Sequence, residues 1–122
     1  MEEIGEINPK ARAVVEQLVQ SFSPAATAMM TEAAVARVRY PAFNSAHEGW
    51  AVLYEEVDEM WDEVRADNLE RAIAEAIQVG AMAIRFVTEM RQRLHGERTV
   101  TNPFTGVTDT YYRTDQAATE AE

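Results

Sequence analysis

The chain has 122 residues, enough for one modest hydrophobic core and too few for two domains of ordinary size. Its 21 acidic residues against 11 basic ones give a formal charge of −10, which argues against nucleic-acid polymers and anionic lipid as partners but leaves metal cations welcome. The absence of cysteine removes both a disulfide framework and a thiolate zinc site.

Along the chain, Asn8-Pro9 reads as an N-cap and first helical residue, and Ala11, Val14, Val15, Leu18, Val19 and Phe22 recur at helical spacing over roughly 9–22. Ser23-Pro24 repeats the start signal, opening an alanine-rich helix that runs to Tyr40-Pro41. After the loop "PAFNSA", Ser45 and Glu48 form an S-x-x-E capping box for a third helix from Ala46 to about Arg65. Asp67 and Glu70 suggest a second box, opening a long fourth helix that ends before Gly96. From residue 97 helical pattern stops. "ERTVTNPFTGVTDTYYRTDQAATEAE" holds seven threonines and reads as an irregular arm, either a short hairpin or a strap on a partner subunit, with its last eight or so residues disordered. These features define an all-α domain over 1–96 followed by the arm, 97–122. Hydrophobic runs are too short and interrupted to span a membrane. "MEEIGEINPK" lacks the basic and apolar regions of a signal peptide, so the expected location is cytoplasmic.

The third helix poses the chemical question. Residues 47–64, "HEGWAVLYEEVDEMWDEV", hold seven acidic side chains among two tryptophans, a methionine and three valines. At about 100° per residue, Trp50, Leu53, Val57, Met60, Trp61 and Val64 share one expected buried stripe. Glu55, Asp58 and Asp62 fall on its other flank or the back, where solvation explains them. Glu56, Glu59 and Glu63 instead stack with Val52 in a strip of roughly 60° at the stripe's margin. Like charges at such spacing repel one another, so the strip either tolerates repulsion in water or binds cations.

On the fourth helix Leu69, Ile73, Ala76, Ile77, Gly80, Ile84, Val87 and Leu94 form a main apolar stripe, with Val79, Met82 and Phe86 as a second. Glu75 continues the second stripe one turn earlier, where it either reaches solvent, pairs with Arg71, or binds a metal. A helix apolar on two sides must be covered on two sides, and one short chain has few helices to do it. The expectation is a homo-oligomer, a dimer or tetramer, with a four-helix-bundle core shared between chains. The short "ADN" connection makes the third and fourth helices antiparallel, so acids at i and i+3 on one face an acid on the other. That geometry suits Mg²⁺.

"EEVDE" (55–59) followed by "EAIQVGAMAIRFV" (75–87) resembles the two motifs, E-x-x-E and E-x-x-D, of the all-α nucleoside triphosphate pyrophosphohydrolases, the MazG-like group. The likeness covers about residues 30 to 95. It implies a Mg²⁺-dependent enzyme, with Mn²⁺ as a possible substitute, that converts a nucleoside triphosphate and water to a monophosphate and pyrophosphate. Residue by residue, Glu56, Glu59 and Glu75 match metal ligands, with Glu56 and Glu59 also assigned to catalysis, and Gln78 stands where the family has Asp. A neutral amide still coordinates through oxygen but removes one negative charge. Asn44 and His47 are candidates for the base or phosphate end of a pocket. Arg37, Arg39, Arg85, Arg91 and Arg93 are candidate triphosphate clamps, since guanidinium pairs bidentately with phosphate. The alternative that Gln78 keeps open is a catalytically impaired relative, a nucleotide-binding or oligomeric interaction module.

Overall fold

A computed structural model of the chain describes residues 7–112. It contains α1 (Pro9–Ser21), α2 (Ser23–Arg39), α3 (Ala46–Arg65) and α4 (Leu69–His95), then β1 (Glu97–Thr101) and β2 (Thr108–Tyr112). The expected all-α fold is present, with a small two-stranded ribbon attached. No described helix is long and apolar enough to cross a membrane.

Local chemistry sets the helix ends. The Asn8 side chain accepts the Ala11 N–H at 2.8 Å, with Pro9 at the first helical position. Ser45 caps α3 by accepting the Glu48 N–H at 3.1 Å, but Glu48 does not return the bond to Ser45. Its carboxylate accepts from the Asn44 backbone N–H and side-chain amide, at 3.0 and 3.1 Å. The cap of α4 also moves by one residue: Asn68, rather than Asp67, accepts the Arg71 N–H. Asp67 has the other task of ending α3. It adopts the left-handed conformation, φ 57°, which a short polar side chain tolerates. Its N–H donates to the Val64 carbonyl at 3.0 Å while that of Asn68 donates to Glu63 at 2.9 Å, the paired bonds of a Schellman ending. The chain reverses there, laying α4 antiparallel to α3.

Helix α4 is the spine, packing along α3 on one flank and α2 on the other, while α1 leans on α2. The core joins Ala33 of α2, Phe43 of the α2–α3 loop, and Ala81 and Met82 of α4, ringed by Val52, Leu53, Ile84 and Phe86. Two glycines permit the close approaches. Met29 occupies the space a side chain at Gly80 would need. At Gly49 an added methyl would stand 2.7 Å from the Phe86 ring and 3.0 Å from that of Phe43. Overpacking two confined rings costs about 1–3 kcal/mol, offset by up to about 1 kcal/mol from alanine's better helix propensity. Gly49→Ala is therefore expected to destabilise the fold by about 1–2 kcal/mol, seen in urea as a lower midpoint at unchanged slope.

The buried face of α3 differs from the expected stripe. Trp50 and Trp61 are 59% and 55% exposed, and Val57 and Val64 are exposed as well. The side toward α4 consists of Gly49, Val52, Leu53, Glu56, Met60 and Glu63, all buried or half-buried, a rotation of roughly 80° toward the acids. On α4 the apolar residues at the ends of the main stripe, Leu69, Ile73, Val87 and Leu94, are exposed, whereas Met82 of the second stripe is buried. Periodicity registers every apolar surface, whichever neighbour covers it. These helices carry more of it than their own chain covers.

The threonine-rich segment takes the hairpin form rather than an irregular one, with β1 and β2 antiparallel and Thr99 opposite Thr110. Asn102 organises the turn: its side chain accepts the Phe104 and Thr105 N–H groups at 2.8 and 3.2 Å. Gly106 supplies the required positive φ, 73°. The expected disorder of the last eight residues concerns positions outside the described residues.

Candidate metal centre

Glu56 and Glu59 project one turn apart from α3, and Glu75 meets them from antiparallel α4. One carboxylate oxygen from each residue lies within 4.8 Å of the others. Glu56 and Glu75 are half-buried and Glu59 is exposed. Burial pushes the Glu56 carboxyl above its ordinary range, and the charges of Glu59 and Glu75, a hydrogen bond with Glu59 and the charge of Glu55 add to the effect. Burial also raises Glu75, reinforced by the charge of Glu59, a hydrogen bond with it, and Glu63; Arg71 opposes the shift. Arg71 itself lies 3.9 Å from Glu63, and its exposed side chain makes this a weak pair. The cluster thus brings hard oxygen donors together from two helices with one side open, a donor set that fits a hard divalent cation needing room for water and phosphate.

Beside it, the space between α2 and α3 is a groove of about 500 Å³ with α4 as its floor. Glu56 and Gln78 line it together, Gln78 half-buried one turn beyond Glu75, and Arg39 lines the α2 wall. The remaining sequence candidates are less available. Arg85 is 5% exposed and occupied: its Nε donates to Glu89 at 2.9 Å, one terminal nitrogen donates to the Pro41 carbonyl at 3.1 Å, and the guanidinium lies 4.2 Å over the Phe43 ring. Asn44 is exposed and committed to Glu48. His47 is exposed on the first turn of α3, outside the groove lining. Arg37 donates to the Tyr40 carbonyl at 3.2 Å. Sequence reasoning missed Glu89, 7% exposed and bonded to Arg85 and to the Phe43 N–H. Its one local signal was the i, i+4 spacing from Arg85, which reads equally as a solvated helix pair.

The raised carboxyls have a thermodynamic consequence whose sign is opposite to that of a salt-bridged acid. Above the ordinary value of 4.5 the folded chain holds protons at Glu56 and Glu75 that the unfolded chain has released. Their contribution to stability is therefore complete below that value and declines as pH rises through the interval up to the raised values. In chelator, the melting temperature of the wild-type protein is expected to fall from pH 5 to pH 7.5 more steeply than that of Glu59→Gln, in which the shared repulsion is reduced. Calorimetric scans of the two proteins, buffer by buffer, measure the difference; parallel profiles would mean that the three acids do not interact.

Compared with protein-family models, curated proteins and solved structures, the chain matches none. Its resemblance to the pyrophosphohydrolases rests on the motif residues themselves.

Proposed function

We propose that the protein is a Mg²⁺-dependent nucleoside triphosphate pyrophosphohydrolase of the MazG-like type, acting in nucleotide-pool control in the cytoplasm. The observation that supports this reading best is the convergence of Glu56, Glu59 and Glu75 within 4.8 Å beside a groove of about 500 Å³. A nucleoside fits that volume, and the acids at its edge fit the triphosphate end through a cation. Bound Mg²⁺, or Mn²⁺ in its place, supplies the positive charge that lets phosphate oxygens approach carboxylates. Glu56 and Glu75 hold the ligand oxygens on the helical framework. Glu59, the exposed member, is placed to orient a water and receive its proton as that oxygen bonds to the α-phosphorus and pyrophosphate leaves. Gln78 contributes a neutral oxygen where a fourth charge would otherwise stand.

The exposed apolar faces of α3 and α4 support a dimer or tetramer in which a second copy covers Trp50, Trp61, Ile73 and Val87. Gln78 also supports a second reading, a nucleotide-binding or interaction module without turnover. A panel of ribo- and deoxyribonucleoside triphosphates with Mg²⁺, assayed for both pyrophosphate and orthophosphate, separates the two. Pyrophosphate and monophosphate in equal amounts are expected for at least one substrate; no release across the panel leaves the module.

A further inference from the structure

We propose that the buried Arg85–Glu89 pair is a positioning device that fixes the α2–α3 loop as one wall of the groove, an inference that rests on the pyrophosphohydrolase reading. The loop between Arg39 and Ala46 has no regular secondary structure, yet Phe43 within it is 5% exposed and belongs to the core. Where such a loop dips into the core, its backbone polar groups must find partners without a ladder of its own. The pair meets that need on both sides. Glu89 accepts the Phe43 N–H at 2.7 Å through one oxygen and the Arg85 Nε at 2.9 Å through the other. Arg85 then donates to the Pro41 carbonyl at 3.1 Å and covers the Phe43 ring. Two loop residues are thereby tied to one turn of α4.

The location gives these bonds a functional meaning. Pro41, Phe43 and Arg85 all line the groove that Glu56 and Gln78 enter. Arg85 also lines a second cavity of about 320 Å³, where Glu89, Thr88 and Gln92 of α4 face Arg37 of α2 and Thr99 of the hairpin. The pair stands between the two spaces, so loosening it shifts the groove wall and opens a path into the second cavity. Neither residue belongs to the acidic trio. Its loss should therefore weaken nucleotide binding, a KM effect, and leave the metal centre and kcat in place.

The double variant Arg85→Met/Glu89→Leu tests this, because replacing both members of a buried ion pair by apolar side chains of similar volume generally preserves folding. The Phe43 N–H and Pro41 carbonyl then lose their partners. Expected are a KM raised by at least about tenfold, kcat within about threefold of wild type, and an unchanged Mg²⁺-induced rise in melting temperature. An unchanged KM in the folded double variant overturns the proposal, as does a kcat loss equal to the KM effect, which would put Arg85 on the reacting phosphates. Hydrogen exchange on the wild-type protein needs no variant. The Phe43 amide should be as protected as the middle of α4, and exchange at the rate of an open loop overturns the proposal even if the double variant does not fold. If the wild type releases no pyrophosphate, the functional reading fails by itself. The wall is then judged by calorimetric Kd for a non-hydrolysable α,β-imido triphosphate: a rise of at least about tenfold in the double variant sustains it, and an equal Kd or no binding to wild type overturns it.

Discussion

Glu59→Gln is expected to make the metal-free protein equally or slightly more stable while removing most of its activity. Glu59 contributes to the raised pKa of both Glu56 and Glu75, by charge and by hydrogen bonding. Neutralising it relieves like-charge repulsion, a gain of up to about 1 kcal/mol. The same change removes one of three converging carboxylates that could hold a cation. A ligand stabilises a fold only through preferential binding to it, so Mg²⁺ should lose most of its effect on the melting temperature, and pyrophosphate release should fall by at least about tenfold. Asp62→Asn is the matched control, since Asp62 is exposed and paired with Arg65 at 3.0 Å; it should leave both readouts near wild type. If Mg²⁺ shifts the melting temperature of neither wild type nor Glu59→Gln, the acids form a solvated face and the interaction-module reading stands.

The largest effect on folding is expected from Glu89→Ala. That change leaves the Arg85 guanidinium, 5% exposed, without its carboxylate and the Phe43 N–H without an acceptor. Removing one partner of a buried ion pair costs about 3–5 kcal/mol. Domains of this size have total stabilities of about 5–15 kcal/mol, so Glu89→Ala should lose a large fraction of its stability and melt at least about 10 °C below wild type. Circular dichroism against temperature measures this directly. A shift of only a few degrees would show that water reaches the pair and that its burial is incomplete.

Much of the architecture was legible from local chemistry. Helix limits followed from Asn8-Pro9, Ser45 and Gly96, signals that act within one turn of where they stand, whereas Ser23 is not a cap: it is the first residue of α2, Phe22 holds the cap position, and no side chain there accepts a helix N–H. The metal candidates were legible because helical spacing and a three-residue connection together determine which acids face each other. What escaped was long-range or one-residue detail. Asp67 and Asn68 are both good caps, and only the closing geometry of α3 assigns the left-handed position to Asp67 and the cap to Asn68. The stripe on α3 was placed on its most apolar side, yet the side facing α4 carries Glu56 and Glu63. Arg85 reads as one of five candidate phosphate clamps because guanidinium pairs bidentately with phosphate. The Pro41 carbonyl to which it donates and the Phe43 ring it covers lie more than forty residues earlier, beyond any local pattern.

The hairpin of α3 and α4 also bears on kinetics. All three converging acids come from two helices joined by three residues, so Glu59 and Glu75 meet by closing a loop of about sixteen, a modest entropic step. Contacts so local in sequence form early when a helical protein folds. Repulsion among the acids therefore opposes the very closure that brings α3 and α4 together, and neutralising any one of the three eases that step.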